Sequence, residues 1–136
     1  GGIQDSPFAQ TQCPDLILSE HSTWKRIYLH RMKHSEICIA STGLHQSSGW
    51  KIAEYLAAGR AIVSEPLCYE VPGPFQAGEN YLTYTSADGC IEQIRTLLAH
   101  PEQILQMGQR NRAYYDEWLR PDQIVTKALE QAKILL

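Results

Sequence analysis

Long hydrophobic runs are absent from this chain, and no stretch approaches the ~18 apolar residues of a membrane span. Its start does not resemble a secretory leader, so a cytoplasmic protein with no membrane span is expected. Cysteine is scarce: Cys13, Cys38, Cys68 and Cys90 stand far apart, with no C-x-x-C pair. That spacing reads as four free thiols in a reducing compartment rather than a disulfide framework. Positive charge is not in excess. Twelve Lys and Arg against fifteen Asp and Glu leave a net charge of −3, which argues against a general nucleic-acid or anionic-membrane surface. The fingerprint G-x-G-x-x-G is missing, so an NAD site has no support. No Ser–His–Asp or paired-carboxylate constellation can be argued, and there is no internal repeat. His30, His34 and Cys38 are spaced for zinc, but Cys38 falls in the next predicted strand and Arg31 and Lys33 lie alongside, so no metal site is expected.

What is present suits one globular domain: 136 residues, 43% apolar and 20% charged. Residues 1–14 are rich in Gly, Gln, Ser and Pro and read as an irregular arm, with the domain running from 15 to 136. Leu16-Ile17-Leu18 is expected as a short strand. Ser22 or Thr23 is the predicted cap of a helix to about Lys33, with Trp24, Ile27, Tyr28 and Arg31 on one face. Strands are predicted over 36–40, 61–64 and 81–84. A helix over 49–58 closes at Gly59, and 65–78, with Pro66, Pro72, Gly73 and Pro74, reads as a stiff loop. Three helices follow. The first, 87–99, carries Ile91, Ile94, Leu97 and Leu98. The second opens on Pro101, with Ile104, Leu105 and Met107 early and Tyr114, Tyr115 and Trp118 late. The third opens on Pro121, with Ile124, Val125, Ala128, Leu129 and Ala132 as its stripe. Strands alternating with helices predict an α/β fold with a parallel sheet.

The polar loop 41–48 after a buried strand is where such folds place function. Ser48 or Gly49 at the following helix start leaves backbone N–H groups that favour an anion. Lys51 lies within one turn of that end, as a phosphate partner or as a solvent-facing lysine. Ile52, Ala53 and Leu56 can pack inward, while Glu54 faces the mouth of the site or is simply solvated. Phosphate donors with a carboxylate a turn further on suit a nucleoside diphosphate, the carboxylate taking the ribose hydroxyls. Trp50 reads as a core residue in preference to a base-flanking one. Glu79 and Asn80 form a turn, Asn80 tolerating left-handed geometry, or else touch base or diphosphate.

The run Ser48 to Ser64, SGWKIAEYLAAGRAIVS, resembles the nucleotide-sugar-binding half of GT-B glycosyltransferases of the group 1 kind. Gly78-Glu79-Asn80-Tyr81-Leu82, the helix Ile91–Leu98 with Pro101-Glu102, and the strand Ser35–Ala40 extend the likeness over residues 35–124. The resemblance implies a Rossmann-like domain, part of a two-domain enzyme, binding a UDP- or GDP-linked sugar without metal or other cofactor. Glu54 would hold ribose, and Ser48, Gly49 and Lys51 the diphosphate. Gln46 and His45 would face the sugar. Gln46 stands where many members carry a glutamate that contacts the donor sugar, and a glutamine there brings no charge. His45 beside it is a phosphate or sugar contact, or a loop histidine with no role. The start at Gly1-Gly2 without methionine reads as a processed piece of a longer chain, the missing N-terminal domain or a partner subunit completing the cleft. Two rivals remain: a non-catalytic Rossmann-like module that has lost the donor site and binds a protein, and a flavodoxin-like phosphate binder. For the latter Ser19-Glu20-His21 is a poor phosphate loop.

Overall fold

Ile37–Ala40 (β1) and Ala61–Ser64 (β2) pair in parallel, Ile37 opposite Ala61 and Ala40 opposite Ser64. Leu82–Thr83 (β3) adds on the other side, opposite Val63 and Ser64, giving the order β1-β2-β3. This computed structural model describes residues 5–134. The backbone divides into two units, Gly1–His34 and Ser35–Leu136.

In the first unit, part of the arm expected to be irregular over 1–14 is helical. Pro7–Gln12 (α1) starts with proline in its first turn, and the Ser6 hydroxyl accepts the Ala9 N–H at 3.1 Å. Residues 1–4 lie outside the described residues. The strand expected at Leu16–Leu18 is not formed; Pro14–Leu16 is a 3₁₀ turn instead, set by a proline that fixes φ and offers no N–H. Glu20–Thr23 (α2) is a single turn and Lys25–Lys33 (α3) follows it, so neither Ser22 nor Thr23 caps the longer helix. Trp24 stands at that junction with extended ψ, and it is exposed, as is Arg31; Met32 is the buried residue of α3. His30, Arg31 and Lys33 in the last turn complement the helix dipole.

The second unit is α/β. All four residues of β2 are buried, so the central strand is covered on both faces, whereas Ile39 of β1 is exposed. On one face Ala61 and Val63 meet Leu97 of Ala87–Ala99 (α5) and Met107 of Pro101–Tyr114 (α6), with Ile37, Leu82, Ile94 and Ile104 around them. Gly49–Ala57 (α4) packs on β1 and β2 and buries Ile52, Tyr55 and Leu56. Each such side chain contributes about 1.5–3 kcal/mol on burial. Ala53 is exposed rather than inward, and Trp50 is 90% exposed, not a core residue. At ~100° per residue, Trp50 falls on the side of α4 away from Ile52, Tyr55 and Leu56.

Alpha-6 runs into a π-helical turn at Tyr115–Leu119, and Pro121–Ile134 (α7) packs on that turn. The expected stripe of α7 is not buried: Ile124, Val125 and Leu129 are exposed. Ile91 and Leu98 of α5 and Leu105 of α6 are exposed as well.

Alpha-4 and α6 meet through glycine. A Cβ on Gly108 would lie 2.6 Å from the Gly59 carbonyl oxygen, and Gly59 itself has φ +61°, the left-handed closure its sequence position suggests. Gly108→Ala is expected to lower stability by about 2 kcal/mol, because overpacking against backbone outweighs the ~1 kcal/mol gain in helix propensity. Urea unfolding checks this; an unchanged or raised midpoint would contradict the close approach.

Candidate functional site

The carboxyl ends of the three parallel strands, Ala40, Ser64 and Thr83, come level at one edge of the sheet. In open α/β sheets this is the edge where ligands bind. The loop 41–48 leaves β1 here and leads into α4.

Its geometry is held from the neighbouring strand. Glu65, directly after β2, accepts both the backbone N–H and the hydroxyl of Thr42 on one carboxylate oxygen, each at 2.7 Å. The Thr42 hydroxyl first, then its N–H, hold the Glu65 carboxyl below its ordinary range. The Tyr84 hydroxyl donates to the Ala40 carbonyl at 2.9 Å, and the Tyr69 hydroxyl to the His45 carbonyl at 3.0 Å. Leu44–Gln46 is a 3₁₀ turn in which His45 and Gln46 both have positive φ, 56° and 61°.

Ser48 and Gly49 stand at the start of α4. The Ser48 side chain makes no capping hydrogen bond, so this is not an ordinary serine N-cap. Gly49 has φ +64° and open space where a Cβ would be, so glycine is required by backbone conformation and not by crowding. The helix start faces outward: Ser48 is half-buried, and Gly49, Trp50 and Lys51 are exposed. Beside it lies a cavity of about 150 Å³ lined by Ser48, Gly49, Ile52, Val71, Phe75 and Tyr114 among others. Lys51, Glu54, His45 and Gln46 do not line it. Glu54 is half-buried, one turn beyond Trp50 on the same side of α4.

The wall formed by 65–78 is stiff for reasons beyond its prolines. Phe75 stacks on Tyr81 at 5.2 Å and lies 4.9 Å from Tyr114, and the Tyr114 hydroxyl donates to the Pro72 carbonyl. Burial pushes the Tyr114 phenol up to about 12. Gly73 lies against the Trp118 ring so closely that a Cβ would sit 2.3 Å from it.

Asn80 is not at the mouth of the site. It is 1% exposed, its Oδ1 accepts the Gln76 N–H at 3.1 Å, and its Nδ2 donates to Asn111 Oδ1 at 3.1 Å. The left-handed residue of its turn is Gly78, not Asn80. Glu79 pairs with Arg110 at 2.7 Å on the surface. Asn111 was not singled out from sequence, yet it lies on the apolar side of α6 with Met107 and Tyr114, which is the signal that would have marked it. Thr42 and Glu65 were missed too; their only signal is polarity immediately after a strand.

A cleft of about 640 Å³ lies at the opposite edge of the sheet, where Glu36 and Arg60 precede β1 and β2. Its cations are already engaged. Arg60 donates to the Ala58 carbonyl at 2.7 Å, and Arg112 to the Ala57 carbonyl at 2.7 Å and to both Asp116 oxygens. Those bonds close the C-terminal end of α4.

Among the described residues, no group of three His, Cys, Asp or Glu side chains could hold a metal ion, and no helix is long and apolar enough to cross a membrane. The His30 and His34 rings lie 4.2 Å apart, tilted by 36°. Cys38 is buried in β1, its thiol pushed up to about 11 by burial against the opposing pull of Arg60. The described cysteines are all free thiols.

The Thr42–Glu65 clamp generates a pH prediction. A depressed folded pKa makes the clamp fully present above the ordinary glutamate value of 4.5 and lost as pH falls through the folded value. The Thr42 amide resonance should therefore titrate with a midpoint below that ordinary value, and Glu65→Gln should abolish the transition. A midpoint at or above it would contradict the clamp.

The sequence pattern of the glycosyl transferase-like family matches residues 15–130. No curated protein and no solved structure matches the chain. The match spans both the sheet and the helices that frame its carboxyl edge, and the α/β unit has the Rossmann-like arrangement expected of such a domain. This chain belongs to the glycosyl transferase-like family.

Proposed function

We propose that this chain holds the nucleoside diphosphate of a UDP- or GDP-linked sugar, as the donor half of a glycosyl-transfer site. The observation that carries the reading is the start of α4. It opens outward at the carboxyl edge of the sheet, with no serine cap on its first N–H groups. The Ser48 and Gly49 amides take the diphosphate. An anion at a helix start gains only about 0.3–1 kcal/mol when exposed and up to ~2 when partly buried, so Lys51 supplies the remaining charge. Glu54 accepts the ribose hydroxyls, and His45 and Gln46 face the sugar. Trp50, exposed beside the helix start, is free to stack on the base. Asn80 has no part in it, because its amide is committed inside the fold.

No metal or other cofactor is invoked. Helix dipole, backbone amides and lysine stabilise the leaving diphosphate as charge develops. Transfer also needs a base for the acceptor hydroxyl and a second wall that excludes water. By the GT-B resemblance, a second domain or a partner subunit supplies these.

One observation favours a rival, a protein-binding module without a donor site: Glu54 and Lys51 do not line the cavity beside the helix start. Calorimetric titration with UDP, GDP and their sugars separates the two. Donor binding predicts weak affinity for one nucleotide, indifferent to chelator. Glu54→Ala should then lose about 2 kcal/mol or more, the value of one or two charged hydrogen bonds, with the fold retained. No heat with any nucleotide, or an unchanged affinity in folded Glu54→Ala, would remove the assignment.

The isolated chain should not transfer sugar. Turnover above a Glu54→Ala control would show that the second wall is not needed.

A further inference from the structure

Two adjacent residues that carry side chains, His45 and Gln46, occupy the left-handed region. Contact between Cβ and the following carbonyl disfavours this at each position, and single residues adopt it far more readily than pairs. Such a conformation persists only where its surroundings over-determine it. Within the turn, Gln46 N–H donates to the Gly43 carbonyl at 3.0 Å and Ser47 N–H to the Leu44 carbonyl at 3.3 Å, while Gly43 N–H closes on the Ser47 carbonyl at 2.8 Å. These bonds close the turn on itself but do not tie it to the sheet. The tie comes from the segment after β2. Glu65 fixes the entry of the loop at Thr42, and the Tyr69 hydroxyl reaches the carbonyl of His45, the first of the strained residues. Tyr69 is 57% exposed, so its ring is not held as a core residue, and the hydroxyl is its specific attachment.

We propose that Tyr69 is a positioning residue for the donor site: its hydroxyl latches the Leu44–Gln46 turn in the left-handed form that sets the direction of His45 and Gln46 and the approach to Ser48 and Gly49. Tyr69 touches neither the reacting atoms nor, on this account, the nucleotide. It acts through the turn. The effect on binding rests on the donor-site reading, whereas the latch itself does not.

Hydrogen exchange of the ligand-free chain tests the latch. Tyr69→Phe should speed exchange of the Gln46 and Ser47 amides by roughly 2- to 12-fold, the range of one net hydrogen bond. Exchange at the Tyr84 amide, which donates to Ser64 within the sheet, should not change. Adding Gln46→Gly to Tyr69→Phe should restore protection, because glycine carries no left-handed penalty; a purely structural role for the ring would show no such rescue. In calorimetry, Tyr69→Phe should weaken UDP or GDP binding by a similar factor. Unchanged exchange at Gln46 and Ser47 would overturn the latch. Faster exchange with undiminished nucleotide affinity would overturn the positioning role. If the unaltered chain binds neither UDP nor GDP, the donor-site reading fails and takes the positioning role with it, while the latch stands or falls on exchange alone.

Discussion

Two buried asparagines hold the α/β unit together. Asn111 of α6 is fully buried, and its Nδ2 donates to the carbonyls of Arg60 and Asn80 at 2.8 and 2.9 Å, while its Oδ1 accepts from Asn80. Arg60 is the last residue before β2 and Asn80 the turn before β3, so one side chain ties α6 to the entrances of two neighbouring strands. Removing it would leave buried carbonyls and an amide without partners, each costing about 1–3 kcal/mol. The Gly59–Gly108 approach is a consequence: α6 must come close enough for the amide to reach, and side chains at the crossing would hold it off.

That hub sits at the amino end of the sheet and leaves the carboxyl end free for other work. There the connections are of a different kind. Hydrogen bonds from Thr42 to Glu65 and from the Tyr69 and Tyr84 hydroxyls join loops and strand ends, and aromatic contacts pin 65–78 to α6. Each is modest alone, and the Tyr69–His45 bond is exposed to water. Local stability at this edge is therefore lower than in the core, which is where binding loops are drawn from. The larger cleft at the amino end offers more volume, but its arginines are spent on helix carbonyls and on Asp116, so volume is a poor guide to chemistry here.

A family shared over most of the chain fixes the kind of chemistry and leaves the donor open. The open start of α4 is compatible with a diphosphate. On the donor reading proposed above, the uncharged Gln46, held in a left-handed turn, would meet a sugar differently from a glutamate.

Much of the fold was legible because its signals are local. Strand 61–64 is a short apolar run between a glycine closure and a proline-rich loop. Helix 87–99 carries Ile91, Ile94, Leu97 and Leu98 at helical spacing, and helix 101–114 has proline in its first turn. These are backbone preferences of a few neighbouring residues, and they hold whatever surrounds them. The α/β class followed from their order. Periodicity alone determined which residues of α4 to α7 are apolar, but not which are buried. Whether Trp50, Leu98 or the Ile124–Leu129 stripe meets a partner depends on how far a three-stranded sheet extends, and that is a property of the assembled layers. Asn80 shows the same limit: its turn could be read from Gly78-Glu79-Asn80, but its bond to Asn111 joins residues far apart in sequence. The Thr42–Glu65 and Tyr69–His45 bonds are also between distant segments, brought level only by the register of β1 on β2. The sequence by itself determined the strands and helices of the α/β unit and their order. Only the tertiary structure decided which polar side chains are spent inside the fold and which remain at its edge, because burial and long-range hydrogen bonds depend on packing that no local pattern encodes.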